Sequence, residues 1–477
     1  MQKPIRTLVS AAVVALMASA ANAGSFSLYT EGNGSAVGNF AAGIAAEAAD
    51  ASTGWYNPAG LALIREQQIV AGGVGVFPSS KITGYSTFRT LGLPDYVQTF
   101  NGLDGAKNGL VPSFHYALPL GENATFGLSV VAPFGLVTKW GNGSPVRYSA
   151  TLSDLMTTTV SPEIGGKLND NLAVGAGIDF QYTRVKFNRM LGAPALMQAF
   201  GLSPFAVDSE SYNKGDSFGI GFHAGVLTMF NDNHTRIGLN YQSQMRQKFH
   251  GYSRLTGPLA TPGLNVLNPL SVMAANPYAV ARTDTLSSNN IDFPDIVTLS
   301  GYQDVNESLA LLGSVVYTGW HTVSTIELNN AVAYAPPSAV PPLPGRQILV
   351  NTTSRENYSD AWRFAVGANY RFNQELMLRV GGGYDETPTN DRYRGIRVPD
   401  ANRWALSIGA HYQARPWLGV DVGYTHLFTT EDPRISKPEI TGATSDYTVT
   451  ARAKGRADLV GAQLTWIIDK EMPVPTK

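Results

Sequence analysis

Residues able to do covalent or metal chemistry are few in this chain and poorly spaced for it. The seven histidines, at 115, 223, 234, 250, 321, 411 and 426, show no metal-ligand spacing. There is no cysteine and no G-x-S-x-G motif. His223 and His411 fall on inward faces of strand patterns, with no evident triad partner. Gly73-Val74-Gly75 and Gly175-Ala176-Gly177 lie inside strand patterns and read as room or bends, not as phosphate loops. The chain is therefore read as a non-enzyme with no cofactor and no metal. The residue with the largest physical consequence is Pro133, in "TFGLSVVAPFGLVTKW", with Gly135 two positions later. Proline cannot donate to a ladder, so a strand carrying one in its middle is bulged or broken. Two readings follow: a bulge near a rim, or a gap in a wall at membrane depth, plugged from inside. In hydrocarbon the freed backbone groups must be met by protein or water, and the loop Asn57-Pro58-Ala59-Gly60 is the expected source.

The elements around this break alternate with period two. Leu172, Val174, Ala176, Ile178, Phe180 and Tyr182 share one face, and Ala173, Gly175, Gly177, Asp179 and Gln181 the other. The same pattern runs through 217–226, 362–372 and 404–412. Such runs match the ~9–11 residues of a tilted bilayer-crossing strand. Aromatics near the strand ends (Tyr182, Trp362, Phe372, Trp404, Tyr412, Tyr424) suit an interfacial girdle. A soluble β-sandwich also alternates, but with strands nearer five or six residues. The pattern predicts an all-β transmembrane antiparallel barrel of about 14 strands. Expected strands lie near 67–77, 107–118, 124–138, 155–168, 171–188, 215–230, 235–250, 291–303, 307–322, 359–372, 375–386, 401–413, 417–429 and 452–468. Short turns such as Asn169-Asp170 and Asn373-Gln374 read as periplasmic. Segments 78–106, 189–214, 251–290, 323–358 and 430–451 read as extracellular loops. The fourth of these, with Pro336, Pro337, Pro341, Pro342 and Pro344, is expected to be irregular. Residues 190–207 and 255–280 are unusually apolar for loops. They either pack on each other to close the barrel top or form a landing surface for an apolar solute.

The N-terminus predicts export. Lys3 and Arg6 precede an apolar or small run from Leu8 to Ala21, and Ala21-Asn22-Ala23 is an A-x-A cleavage site. The run is shorter than the ~20 residues of a spanning helix. Without Lys3 and Arg6, 33 basic residues face 36 acidic ones, so nothing points to a nucleic-acid partner. A barrel of this size is too wide to be filled by its own side chains, and its lumen faces are rich in glycine. Residues 24–65, with "ADASTGWYNPAGLALI" at their end, are the available plug. The expected organisation is signal peptide 1–23, hatch 24–65, barrel 66–468 and tail 469–477.

"AADASTGWYNPAGL", "VPSFHYALPL…FGLSVVAPFGLVTKW" and "GGYDETP…RGIRVPDANRWALSIGAHY" together resemble the FadL family of outer-membrane transporters for long-chain fatty acids and other hydrophobic compounds. The resemblance spans nearly the whole mature chain. It implies a monomeric 14-stranded barrel whose N-terminal hatch carries Asn57, Pro58 and Ala59. It also implies a kinked third strand, here Pro133, Phe134 and Gly135, opening sideways into outer-membrane lipid. The ligand pocket it implies includes Phe26 near the mature N-terminus, and Phe187 and Arg189 in "KFNRMLG". Arg355 is the nearest match to a second cation. Arg189 reads either as a carboxylate partner or as a solvated rim arginine. The implied function is passive uptake of a hydrophobic small molecule across the bacterial outer membrane. Fatty acids and aromatic or alkane hydrocarbons remain alternative substrates, and an outer-membrane enzyme or an open aqueous porin are remote ones. The chain departs from the family at its end: "LVGAQLTWII" finishes on Ile468, where an aromatic is usual.

Overall fold

The computed structural model describes residues 26–339, 342–442 and 444–468. The expected signal peptide and the expected tail lie outside the described residues. Fourteen antiparallel strands close into a barrel. They are β1 (Gln68–Thr90), β2 (Gly109–Pro119), β3 (Ala124–Val131, resuming as Gly135–Lys139), β4 (Leu152–Asn169), β5 (Leu172–Leu191), β6 (Ser209–Phe230) and β7 (Thr235–Gln242 with Met245–Thr256). There follow β8 (Val280–Phe293 with Ile296–Asp304), β9 (Leu309–Thr318), β10 (Ala361–Arg371), β11 (Leu376–Asp385), β12 (Arg403–Arg415), β13 (Leu418–Thr429) and β14 (Ser445–Ile467). β1 and β14 complete the wall, in register from Gln68 opposite Ile467 to Thr90 opposite Ser445.

The alternation sorts residues as a bilayer requires. Phe218, Ile220 and Phe222 are more than half exposed on the outer face of β6, whereas Ser217 and His223 on either side of them are buried inside. Apolar outside and polar inside is the reverse of a soluble core, and it places hydrocarbon against the outer face.

Above the apolar band the strands run on as hairpins. β1 reaches Thr90 and pairs with an arm at Tyr96–Asp104, so the first expected loop is largely ladder. The proline-rich stretch also departs from expectation. Thr325–Ala335 and Arg346–Arg355 form a paired hairpin. Pro336, Pro337 and Pro344 fall outside those two arms, where no ladder donor is needed. The two apolar loops pack together: Met197 and Val207 join Leu255, Leu259, Leu264, Val266 and Val272 in one buried cluster. Leu270, Met273 and Tyr278 stay outside it, each more than two-thirds exposed.

Residues 26–64 lie inside the barrel as short turns of helix: Ala36–Asn39, Ile44–Glu47, Thr53–Tyr56 and Pro58–Leu63. Their backbone runs hard against inward-facing glycines. A Cβ on Gly238 of β7 would overlap the Ala45 carbonyl, and one on Gly461 of β14 the Gly34 carbonyl. The glycine-rich inner face therefore makes room for main chain, not water. Polar ties fix the segment around the circumference. Ser300 and Ser314 accept from the amides of Ala45 and Gly43, Asn369 donates to Glu47 at 2.7 Å, and Gln463 donates to Asp50 at 2.7 Å.

Candidate functional site: a sealed break in the barrel wall

β3 stops at Val131 and resumes at Gly135. Below the break it pairs with both neighbours, from Pro119 opposite Thr125 to Phe114 opposite Val130 on the β2 side. Above it, Gly135–Lys139 pairs with β4, and no ladder joins this half to Gly109–Ser113 of β2. The wall therefore parts between β2 and β3. Pro112, itself without an amide donor, sits in the unpaired-edge stretch of β2, where proline is tolerated. Across β4 the last rung, Val131 opposite Thr159, is level with Val160 and its lipid-facing partner Phe180. The break thus lies within the apolar band, beside the Tyr182 girdle position.

Four backbone groups freed by the break are met: the Pro133 carbonyl, the Phe134 amide and carbonyl, and the Gly135 amide. Thr157 of β4 accepts from the Phe134 amide at 3.0 Å and donates to its carbonyl at 2.6 Å. The Leu28 amide donates to the Pro133 carbonyl, and the Gly135 amide to the Phe26 carbonyl, both at 2.8 Å. Ser27 faces Phe134 in an isolated antiparallel bridge. Residues 26–28 are thus a short strand laid over the gap from inside.

This corrects the expectation that Asn57-Pro58-Ala59-Gly60 meets the kink. That loop sits away from the kink, towards the Asn169 turn, against β4, β5, β6 and β7, where a Cβ on Gly165 or Gly175 would overlap Pro58 and one on Gly225 would overlap Asn57. The Asn57 side chain donates to the carbonyls of Ala45 (2.7 Å) and Val226 (3.1 Å) and accepts from Ala59 (3.1 Å). Asn57 therefore caps the Pro58–Leu63 turn while holding the segment to β6, and Pro58 at its first position costs no hydrogen bond. The geometric reason is reach: residues 26–28 are extended and can add to a strand edge, whereas 57–60 are folded into a turn.

Phe26 centres an aromatic cage. Its ring lies 4.6 Å from Trp320, 5.7 Å from Phe293 and 6.0 Å from Phe134, centroid to centroid. The cage belongs to one buried apolar cluster that extends through Val185, Met245 and Phe249 to half-buried Phe187. Above Phe187 stand cations. Arg189 lies 3.9 Å from Glu439. Arg397, which sequence reasoning missed, donates to the Ser149 carbonyl (2.7 Å) and Ser153 hydroxyl (3.0 Å), with its guanidinium 5.6 Å from the Phe187 ring. Burial lowers the Arg397 pKa against the opposing pull of Glu439. Lys437 bonds Glu356 at 2.8 Å close by. Arg189, Arg397 and Lys437 against Glu439 and Glu356 leave one positive charge in excess. Arg355, the expected second cation, is exposed on its hairpin arm, while its neighbours Ser354 and Glu356 bond Lys437. Strand alternation explains the difference: Arg355 points away from the face its neighbours present.

The inward histidines do have acidic partners. His223 meets Asp179 at 2.8 Å through Nδ1, and its Nε2 lies 3.1 Å from the Gly54 carbonyl of the lumenal segment. The nitrogen a nucleophile would need is therefore occupied, and the pair anchors Thr53–Tyr56. His411 meets Asp421 at 3.0 Å.

A closed membrane barrel whose lumen is filled by residues 26–64 and whose side break is sealed from within defines a class: a plugged outer-membrane barrel. Residues 14–467 match the family described as outer membrane protein transport protein (OMPP1/FadL/TodX), and the chain belongs to that family. A long-chain fatty acid transport protein of Escherichia coli O6:H1 is 28% identical over 439 residues, covering 89% of this chain and 92% of that protein. The crystal structure of a Pseudomonas aeruginosa FadL homologue superposes with a TM-score of 0.75 at 22% identity, covering 93% of this chain and 99% of the other. The Pseudomonas putida toluene transporter TodX does so with a TM-score of 0.58 at 15% identity, over 94% and 99%. The chain is an outer-membrane transport protein.

Proposed function

We propose that the chain takes up long-chain fatty acids, or closely similar amphipathic molecules, and releases them sideways into the outer membrane. The observation that carries this reading is the continuity of one apolar cluster from Phe187, beneath Arg189 and Arg397, to Phe26 and Phe134 at the break. A carboxylate held by the excess positive charge would place its alkyl chain along that cluster. Burial of a chain gains about 0.8 kcal/mol per methylene. Release into periplasmic water would forfeit all of it, whereas release into hydrocarbon forfeits almost none. The exposed Leu270, Met273 and Tyr278 serve as the outer landing surface. Residues 24–65 act as the hatch, 66–468 as the barrel, and 1–23 as a cleaved signal peptide. One copy suffices, because every station lies within one barrel.

A second reading, a channel for aromatic hydrocarbons, is favoured by the aromatic cage around Phe26 and by the pairing of Arg189 with Glu439. The two separate in cells lacking their own channel of this kind. Oleate uptake that falls in Arg189→Ala and Arg397→Ala supports the first. Toluene uptake indifferent to both, with oleate uptake absent, supports the second.

A further inference from the structure

Beneath the cage a cavity of about 30 Å³ separates the lumenal segment from β9, β10 and β11. Trp320 lines both the cage and the cavity, and Ser27, next to Phe26, lines it too. The volume suits one or two groups the size of a water molecule. Glu31 lines it as well; it is 1% exposed, and its Oε1 has no hydrogen-bond partner. A buried carboxyl with an unmet oxygen, on a residue that lines a cavity, calls for a polar group from outside the chain.

The surrounding charges say which group. Arg363 is engaged with Thr30 and with the Phe40 carbonyl (3.0 Å), and its guanidinium stacks 3.7 Å from the Phe40 ring. Arg403 is engaged with Asp385 at 3.1 Å and Asp400 at 3.6 Å. No excess cation remains for a carboxylate, in contrast to the cluster above Phe187. A hydrocarbon would leave Oε1 unmet. A hydroxyl both donates and accepts, so it satisfies Glu31 in either protonation state. Burial pushes Glu31 up to about 7, which keeps both states accessible near neutrality.

We infer that this cavity is a hydroxyl-reading subsite, and that the protein binds hydroxylated apolar molecules with the hydroxyl on Glu31 and the apolar body in the Phe26–Trp320 cage. The inference rests on the reading of the barrel as a conduit for apolar molecules and adds a substrate class to it.

The test is binding of p-cresol and of toluene to the purified full-length protein in detergent, by calorimetry, in wild type, Glu31→Gln and Glu31→Leu. Retained heat-modifiable mobility reports a folded barrel, and Glu31→Ala replaces the leucine variant if that one fails to fold. We expect wild type to hold p-cresol about tenfold more tightly than toluene, the size of one satisfied buried hydrogen bond. Glu31→Gln keeps that preference and Glu31→Leu abolishes it. Equal binding of both ligands in wild type, or a preference that survives Glu31→Leu, overturns the subsite and leaves the conduit intact. Failure of wild type to bind either ligand overturns both readings.

Discussion

Leu28 donates its amide to the carbonyl of Pro133 at 2.8 Å, closing from within a wall that the proline itself opened. On the proposed route this break is the side exit, and an exit in hydrocarbon needs its backbone satisfied while shut. On that proposal the same main-chain bonds serve as seal and as latch. Withdrawal of residues 26–28 would break the bonds to Pro133 and Gly135 and, on the proposed route, free the exit in one step.

Thr157 carries the rest of the seal. Thr157→Val removes the partner of both the amide and the carbonyl of Phe134 while keeping shape. We expect a loss of roughly 1–3 kcal/mol in local stability and a leakier wall. Planar-bilayer recording checks this: the variant should show more frequent openings than the parent.

Arg397 should matter more than its position in a long loop suggests. A charge-assisted bond to a carboxylate contributes about 1.5–3 kcal/mol. Arg397→Ala should therefore weaken oleate binding by about tenfold to a hundredfold, and Arg189→Ala by less, because Glu439 already engages it. Arg355→Ala should leave binding unchanged. Equilibrium binding of a fluorescent fatty acid ranks the three.

The lumenal segment should loosen as pH rises. Glu31 is held protonated by burial, with Arg363 and Arg403 pulling the other way and Asp385 reinforcing the shift, so its pKa stands near 7 against an ordinary 4.5. Burial raises Glu47 and Asp50 in the same direction. The native state then binds more protons than the unfolded one between those values, and stability falls as pH climbs from about 4.5 to 7, by at most ~1.4 kcal/mol per pH unit per group. Amide protection of residues 26–64, corrected for intrinsic exchange, should be greater at pH 5 than at pH 8. Glu31→Gln should flatten the dependence.

Asn57 is the hinge pin of that segment. Asn57→Ala strands the Ala45 carbonyl and uncaps Pro58–Leu63, at a cost of roughly 2–4 kcal/mol. Limited proteolysis should then cut within 44–64 while the barrel stays intact.

Much of this was legible in the chain because a bilayer enforces strict alternation. Where lipid faces the wall, β4 to β6 follow the pattern closely, and Pro133 marks the break. Legibility ends where lipid ends. Above the band β1 continues to Thr90, and the arms flanking Pro336 and Pro337 pair, because strand pairing there no longer needs an apolar face. The seal was illegible for a different reason. Phe26–Leu28 meet Pro133–Gly135 across more than a hundred residues of sequence, and no local pattern announces that contact. Arg397 and Arg355 illustrate the same limit. Arg355 lies near the expected strand but on the wrong face, whereas Arg397 reaches Phe187 from a loop whose path only the fold reveals.

The most direct test locks the latch. The chain has no cysteine, so Ser27→Cys with Phe134→Cys introduces one pair, at an antiparallel bridge. The flanking bonds make it a non-hydrogen-bonded position, where Cα atoms sit about 4.5 Å apart, within disulfide reach. Oleate uptake is then measured in cells with the pair oxidised and again after reduction, with each single variant as reference. A latch at this bridge gives no uptake when oxidised and recovery to the Phe134→Cys level on reduction. Uptake by the oxidised pair equal to that of Phe134→Cys would contradict it.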